Sequence, residues 1–467
     1  MTSISGSETL QATLSPAVAR TTLLREGPVL STLIRFTLPN LIALCSATIV
    51  SIAETAYVGS LGVASLGGVA LVFPIFMLMQ MLSAGAMGGT VSGAISRALG
   101  RGDPDHALSL ALCSLAIALS FGLLFTIAVL AIGPSAYHRL GGAGQVLHEA
   151  VTYSNVAALA IIAIWATNIL ASIARGSGNM AIPACTQLAA GIVQVVVGGA
   201  LGLGLGPIPR FGMAGVAVGQ IVAFSGAALV LFLYLRSRHS PLHLRLDPSL
   251  LRVTRVREIM RIGAVAMLSP FLSVATVLVL TALVARFGHE ALAGYGIGVR
   301  LEFLLIPIAF SVGVASVPMV GTAIGAGNIV RARHIAWVAG GLSASALGVI
   351  GILSVSMPGL WVDMFTNGHG VRAAAYGYLR IAGLGYAFFG LGLCLYFASQ
   401  GAGRVGGAIT AQGARLAVVV IGGWLLLEAH APLHALFALS TVARMVMGLG
   451  TALFVKLARW GGSRKAR

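Results

Sequence analysis

The sequence predicts an all-α membrane protein with twelve transmembrane helices, and its composition and its pattern of apolar runs support this. Of the 467 residues, 58% are hydrophobic and only 9% are charged, and the mean hydropathy is +0.96. Soluble domains carry about 25% charged residues. A helix needs about 20 apolar residues to cross the hydrocarbon core, and the chain offers twelve such runs separated by short loops. The protein is therefore expected to cross the membrane many times.

The apolar runs define the expected helices in order along the chain. The first six are predicted at 31–57, 69–97, 107–132, 150–175, 181–205 and 214–236. The second six are predicted at 260–286, 299–324, 335–357, 374–398, 406–427 and 434–458.

The strong positive charge of the chain sets its expected orientation. There are 29 Lys and Arg against 12 acidic residues, a net charge of +17. The basic residues crowd alternate loops, for example at Arg101, Arg175, 236–258 and Arg331. By the positive-inside rule both termini and the central linker are cytoplasmic. We expect a multi-pass protein of a bacterial cytoplasmic (inner) membrane, and the charge does not indicate a nucleic acid partner.

The two halves of the chain repeat each other at a shift of about 225 residues. VGSLGVASLGG at 58–68 matches VARFGHEALAG at 284–294, and Tyr153 matches Tyr378. Six helices is an even number, so both copies enter the membrane in the same direction and are related by a pseudo-two-fold axis along the membrane normal. Repeats of this kind place a substrate site near the midplane and work by rocking one half against the other.

The repeat and the charge pattern together suggest the domain organisation. The predicted segments are a cytoplasmic N-terminal tail at 1–28, a first lobe of six helices at 29–236, a basic cytoplasmic linker at 237–258, a second lobe of six helices at 259–458 and a basic cytoplasmic tail at 459–467.

Two acidic residues, Glu54 and Glu302, lie clearly within apolar runs. Insertion of such a charge at membrane depth costs about 2.5 to 3.5 kcal/mol, and intramembrane acids therefore mark functional sites by default. Loss of hydration disfavours the ionised form of a carboxyl. Glu54 is the leading candidate for a residue that takes up and releases a proton.

From Leu30 to Lys456 the chain resembles the multidrug and toxic compound extrusion (MATE) family. The resemblance is carried by SIAETAYVGSLG at 51–62, ISRALGRGDPDHA at 95–107 and RLEFLLIPIAFSVGVASVPMVGTAIGAGN at 300–328, together with the twelve spans and the repeat. It implies a secondary active antiporter that exports amphipathic, cationic drugs or metabolites by alternating access. It implies neither an enzyme nor a cofactor.

The resemblance also implies an ion-coupling site in the first lobe. Members of the family usually carry an Asp where this chain has Glu54, and one branch adds an Asn and an Asp on the fifth helix and a Thr on the sixth. Those three positions fall on Gln194, Gly198 and Gln220. The coupling residues are therefore expected to be Glu54, Gln194, Gln220, Tyr57 and Asn168. One carboxyl among amides suits H⁺ better than a hard cation that needs several oxygens, with Na⁺ as the alternative coupling ion.

The second lobe lacks the acids that the norfloxacin exporters of the family carry, because Ser273 and Phe389 stand at those places. It carries instead a charge cluster, expected to comprise Arg300, Glu302, Arg380 and Arg415, with Arg444 also in an apolar span. We expect Arg415 or Arg380 to neutralise Glu302. The cluster either fixes helix register or forms a site for an anionic group or a gate.

Two other function classes are conceivable for a chain of this kind. A lipid-linked precursor flippase of the wider superfamily shares the lobe plan, whereas a membrane enzyme needs a convergent catalytic set that the sequence does not show. No metal site is expected from the spacing of the cysteines and histidines. The expected partners are a small-molecule substrate and membrane lipids, with no nucleic acid and with the protein as a monomer.

Overall fold

The computed structural model describes residues 22–460, and its ordered elements are helices. Within that range twelve helices are long and apolar enough to span a membrane, which confirms the predicted all-α class and the number of spans. The first six are α1 Val29–Leu61, α2 Val63–Gly100, α3 Pro104–Arg139, α4 Gly144–Gly176, α5 Ala181–Leu203 and α6 Gly212–Arg236. The others are α7 Val253–Ala285, α8 His289–Gly325, α9 Ile329–Ser356, α10 His369–Ala402, α11 Gly406–Glu428 and α12 Leu433–Leu457.

Most helices extend beyond the apolar runs that predicted them. Helix α3 has 36 residues and α8 has 37. About 20 residues suffice to cross the hydrocarbon core, so the additional turns lie where polar and charged residues are tolerated. Hydropathy detects the apolar centre of a helix and misses these ends.

Three of the long helices contain local irregularities. Helix α2 passes through a π-helical segment at Met81–Met87, and α10 passes through a 3₁₀ turn at Gly383–Gly385. Helix α7 is interrupted at Met267, between Val253–Ala266 and Leu268–Ala285. Single π-helical turns often mark functional positions because they displace the side chains that follow them.

The fold divides into two compact units of six helices each, here called the first lobe and the second lobe. Of the described residues, those up to Gly27 and Leu38–Arg261 form the first unit, whereas Pro28–Thr37 and the residues from Ile262 onward form the second. The predicted linker at 237–258 is thus part of the first unit. Residues 1–21 and 461–467 of the two predicted tails lie outside the described residues.

The sequence repeat is visible in the backbone of the two lobes. The turns after α2 and α8 each contain a glycine with positive φ, Gly102 at 77° and Gly327 at 80°. The next residue in each lobe caps the following helix: Asp103 accepts the backbone N–H of His106, and Asn328 accepts that of Arg331, each at 2.9 Å. Both side chains are preferred N-caps because they satisfy a free N–H group of the first turn. Equivalent sequence positions therefore end and begin helices in the same way.

One helix of the first lobe is surrounded by the others. In α4, 78% of the most apolar window is buried, against 22 to 39% in the other five helices of that lobe. The second lobe buries α8 and α10 in the same manner, at 67% and 61%. Polar side chains on these helices point into protein rather than lipid, so they are the natural carriers of a buried polar site.

Helices α5 and α6 cross with their backbones in direct contact at two glycines. A Cβ atom at Gly219 of α6 would lie 2.6 Å from the Cα of Gly198 and 2.9 Å from the carbonyl oxygen of Gln194. Small residues allow membrane helices to approach this closely. Because Gly219 precedes Gln220 and Gly198 lies one turn after Gln194, the crossing places the two glutamine side chains near each other.

Replacement of Gly219 by Ala should force α5 and α6 apart. We expect a loss of about 1 to 3 kcal/mol in the free energy of unfolding, because an added methyl meets backbone atoms that cannot yield. The matched control is Gly226→Ala on the same helix, where an added Cβ meets no atom within 4 Å. The control should be neutral or slightly stabilising. Thermal unfolding in detergent, followed by tryptophan fluorescence, measures both, and equal melting temperatures would contradict the proposed contact.

Candidate functional site

The carboxylate of Glu54 lies in a group of neutral hydrogen-bond donors in the first lobe. Glu54 is carried by α1, and its Oε2 accepts the side-chain amide N–H of Gln194 on α5 at 2.9 Å. Its Oε1 accepts the hydroxyl of Tyr153 on α4 at 3.3 Å and, more weakly, the amide N–H of Gln220 on α6 at 3.4 Å. Four helices therefore supply one acid and three donors to a single point.

Tyr153 is a site residue that the sequence analysis did not predict. Its hydroxyl accepts the amide N–H of Gln220 at 2.6 Å while it donates to Glu54. The ring is buried in α4, the most enclosed helix of the lobe. The only sequence signal was its repeat partner Tyr378, since a tyrosine in an apolar run is otherwise indistinguishable from a packing residue.

Two polar atoms beside Glu54 have no hydrogen-bond partner among residues 22–460. They are the buried hydroxyl of Tyr57, one turn after Glu54 on α1, and the side-chain carbonyl Oε1 of Gln220. A Cβ at Gly198 would lie 3.0 Å from the Tyr57 hydroxyl and 3.2 Å from the carbonyl oxygen of Val216. A carboxylate side chain at position 198 would thus have to displace Tyr57, which accounts for the glycine there.

Within the part of the chain that the structure describes, Glu54 has no ion pair with a lysine or arginine. Neutral donors satisfy the hydrogen-bonding capacity of the carboxylate but leave its charge uncompensated. Glu54 is half-buried. A charge that is partly withdrawn from water without a partner is costly, and a carboxyl in that position can remove the cost by binding a proton. The arrangement is suited to reversible protonation.

Asn168 does not lie at this site, contrary to the expectation from the sequence. Its side-chain amide donates to the hydroxyl of Ser83 at 2.8 Å and to Oε1 of Gln80 at 3.2 Å, both on α2. Asn168 follows Tyr153 by 15 residues on α4, a distance of about 22 Å along a helix. It cannot reach Glu54, and instead holds the π-helical segment of α2 against α4.

The intramembrane acid of the second lobe is paired with an arginine. Oε1 of Glu302 on α8 accepts from the guanidinium of Arg444 on α12 at 2.5 Å and from the hydroxyl of Tyr378 on α10. Arg444 also donates to the Tyr378 hydroxyl at 2.9 Å. The prediction that Arg415 or Arg380 neutralises Glu302 was wrong. The exposed Arg380 instead packs on Tyr376, with its guanidinium 5.9 Å from the ring centroid.

The other two arginines predicted for the second-lobe cluster have different surroundings. Arg300 is exposed and lies 5.6 Å from the ring centroid of Phe365. Arg415 is 8% exposed and lies 5.8 Å from the ring centroid of Phe389. One of its terminal nitrogens is 3.6 Å from the sulfur of Met447, and its Nε has no hydrogen-bond partner among the described residues. Arg415 therefore carries a buried positive charge that Glu302, already bound to Arg444, does not directly neutralise.

The acids of the two lobes lie on different helices, Glu54 on the first of its lobe and Glu302 on the second, but their partners come from equivalent parts of the repeat. In each lobe a tyrosine of the fourth helix and a side chain of the sixth helix contact the carboxylate, Tyr153 with Gln220 and Tyr378 with Arg444. The side chain from the sixth helix is neutral in the first lobe and cationic in the second. Glu302 consequently belongs to a closed ion pair, whereas Glu54 keeps an uncompensated charge. Of these two carboxylates, the one without a cationic partner among the described residues therefore lies in the first lobe.

Comparison with known proteins identifies relatives that match two thirds or more of the chain. It is 26% identical over 320 residues to the FAD transporter of Shewanella oneidensis, covering 67% of this chain and 69% of that protein. It is 25% identical over 363 residues to the probable multidrug resistance protein NorM of Thermotoga maritima, covering 75% of each. Among solved structures, a MATE crystal structure in the bent conformation matches with a TM-score of 0.85 at 21% identity, covering 94% of this chain and 97% of that one.

The sequence profile of the MatE family matches residues 39–199 and 266–425, which together make up more than half of the chain. One match falls in each lobe, in agreement with the internal repeat. Together with the twelve spans and the shared fold, this confirms the resemblance seen in the sequence: the protein belongs to the MatE family, the MATE transporters.

Proposed function

We propose that the protein is a proton-coupled antiporter that exports amphipathic small molecules by alternating access, with Glu54 as the coupling residue. The observation that carries this proposal is the Glu54 carboxylate, bound by Gln194, Gln220 and Tyr153 without a cationic partner in the described chain. The name of the Thermotoga maritima relative supports drugs as cargo. The proposed location is a bacterial inner membrane with both termini cytoplasmic, from the distribution of arginines.

The proposed response to protonation of Glu54 uses both the nitrogen and the oxygen of the Gln220 side-chain amide. Its nitrogen now donates toward Glu54, while its free Oε1 lacks a donor. A protonated Glu54 needs an acceptor for its new O–H group, and rotation of the amide by about 180° would offer Oε1. Protonation from the outer side would then rearrange the contacts among α1, α5 and α6 and lower the affinity for cargo. Release of the proton to the cytoplasm would reset the site.

The donor pattern favours H⁺ over Na⁺ as the coupling ion. Hard cations are bound by several oxygen atoms at short distances. Here amide N–H groups of Gln194 and Gln220 point at the carboxylate, and a donor facing the site repels a cation. Gly198 stands where relatives carry an Asp, and it adds no side-chain oxygen to the site. Sodium coupling in the same pocket and flipping of a lipid-linked precursor remain the competing proposals.

One proton per cycle supplies enough free energy for useful export. One pH unit is worth about 1.4 kcal/mol, and about 100 mV adds roughly 2.3 kcal/mol per charge. The sum of about 3.7 kcal/mol supports a gradient of several hundredfold for a neutral solute. Exchange of one proton for a monovalent cation moves no net charge, so only the pH term then drives export.

The first test replaces Glu54 by Gln in protein reconstituted into liposomes. Glu54→Gln should reduce dye export under an imposed pH gradient to background, because the amide cannot take up a proton, while the melting temperature stays near that of the wild type. Tyr153→Phe, which removes one donor, should lower the rate severalfold and change its pH profile. Glu428→Gln is the matched control, since Glu428 is exposed at the end of α11.

The same liposomes distinguish the competing functions. Export driven by a sodium gradient at equal pH would overturn proton coupling but keep the antiporter. Transfer of a fluorescent polyprenyl phosphate analogue, with no dye export under either gradient, would favour the flippase. Undiminished pH-driven export by Glu54→Gln would overturn the role of Glu54.

A second candidate concerns the charge of the cargo. The FAD transporter of Shewanella oneidensis is named for an anionic compound, and this chain buries Arg415 with an Nε that lacks a partner among the described residues. Buried charges are ordinarily paired. A carboxylate or phosphate group of the cargo could supply the missing acceptor, with the ring of Phe389 beneath the guanidinium.

Arg415→Gln should therefore lower the export of an anionic probe such as FAD by about tenfold, because a charge-assisted hydrogen bond is worth roughly 1.5 to 3 kcal/mol. Export of a cationic dye should be unchanged, and Arg415→Lys should retain part of the activity. The exposed Arg380 provides the control variant Arg380→Gln. If Arg415→Gln lowers the export of both probes equally, or lowers the melting temperature, the role of Arg415 is structural instead.

A further inference from the structure

A basic cavity lies where α6 ends, apart from both acid sites. Its volume is about 740 Å³, and its lining comprises Arg236, Arg238, His243, Leu244, Arg245 and Leu246. Three of these six residues are arginines and none is acidic. The positive-inside rule accounts for arginines in this segment but not for their arrangement around a concavity.

The segment after α6 lines the cavity and is anchored by two buried leucines. Leu242 and Leu244 are buried, at 5% and 2% exposure, and the backbone N–H of Leu244 donates to the carbonyl oxygen of Leu235 at 2.8 Å. These contacts fix the segment to the end of α6. His243, which has a positive φ of 40°, and Arg245 are exposed.

The other two arginines lie at the end of α6 and in the turn that follows it, where Arg238 stands two residues after the last helical residue. Arg236 is the last residue of the helix, and its guanidinium lies 5.8 Å from the ring centroid of Phe232, one turn earlier. The C-terminal end of a helix carries a partial negative charge that favours basic residues there. Of the three arginines, Arg236 is therefore held by a rigid element.

The nearby acid Asp247 is engaged elsewhere. Its Oδ1 accepts the backbone N–H of Ser249 at 2.9 Å and thereby caps the short 3₁₀ turn Pro248–Leu250. Hydrogen bonds from the side chain and the backbone of Ser249 hold the pKa of Asp247 below its usual range. Asp247 thus stays ionised but is not part of the cavity lining, and the cavity keeps its three positive charges.

Besides the arginines and His243, the cavity is lined by two leucines, Leu244 and Leu246, and this apolar surface narrows the class of ligand. Leu246 is 60% exposed, and exposure of an apolar leucine side chain to water is unfavourable. Helix α6 has 25 residues, enough to span the hydrocarbon core, so its end and the cavity lie at the level of the lipid headgroups. Basic pockets at this level that also offer apolar surface suit a phosphate with an attached acyl glycerol.

We propose that this cavity binds the headgroup of an anionic phospholipid, with Arg236, Arg238 and Arg245 on the phosphate and Leu246 against the glycerol and upper acyl chain. The bound lipid would hold the segment 236–246 to the membrane surface at the end of α6. This proposal does not depend on the coupling ion or on the exported compound.

Native mass spectrometry of the purified full-length protein, with phosphatidylglycerol and phosphatidylcholine of identical chains, tests the proposal. The wild type should bind phosphatidylglycerol about tenfold or more tightly than phosphatidylcholine. Each arginine near the anionic headgroup is expected to raise the affinity roughly fivefold. The triple variant Arg236→Gln/Arg238→Gln/Arg245→Gln should lose the preference. All three side chains are exposed, so the fold should persist.

The matched control is Arg101→Gln/Arg404→Gln/Arg459→Gln, which removes the same charge from exposed positions elsewhere. It should keep the lipid preference, and an equal loss in both triple variants would overturn the site. A second experiment adds glycerol 3-phosphate as a competitor. If it displaces the lipid at a comparable concentration, the cavity binds a soluble phosphate, and this result would also overturn the lipid assignment. Leu246→Asn should weaken lipid retention without changing any binding of glycerol 3-phosphate.

Discussion

The uncompensated charge of Glu54 is the constraint on which the first lobe depends. A carboxylate at this depth needs partners, and the lobe supplies three donors from three helices, all of them neutral. A lysine or arginine in the same place would stabilise the ionised acid and prevent it from releasing its charge in a cycle. The amides and the phenol instead hold the side chain in position without compensating its charge, which is the arrangement that the proposed proton coupling requires. The close crossing of α5 and α6 at Gly198 and Gly219 follows from this requirement, because it brings two glutamines to one carboxylate.

The second lobe shows what the same framework does when its charge is compensated. Tyr378 and Arg444 occupy the places of Tyr153 and Gln220 in the repeat, and Glu302 forms an ion pair with them. Removal of one partner from such a buried pair is destabilising, because it leaves the other charge uncompensated in a low dielectric. The two acids lie on different helices of the repeat, Glu54 on the first helix of its lobe and Glu302 on the second. Arg415 carries a further positive charge in the second lobe, and we propose that it meets an anionic group of the cargo.

The basic segment after α6 has two separable properties. Its arginines orient the chain in the membrane by their number, a property that requires no particular structure. The buried leucines and the helix end arrange three of them around a cavity, and this requires a defined backbone. A ligand can recognise only the second property, because selective binding depends on where the charges lie relative to each other.

The sequence by itself determined the fold class, the twelve spans, the repeat and the family, since each rests on properties that are local or periodic along the chain: apolar length, loop charge and recurring motifs. It also placed Glu54, Gln194 and Gln220 in one site through the resemblance, and the structure brings them into hydrogen-bonding contact. Contacts between helices were decided only by the tertiary structure. Tyr153 joined the site, Asn168 turned to α2, and Arg444 rather than Arg415 or Arg380 paired with Glu302. Several arginines lie in apolar spans, and the sequence pattern alone does not distinguish them. The rotation and packing of each helix determine which arginine contacts Glu302.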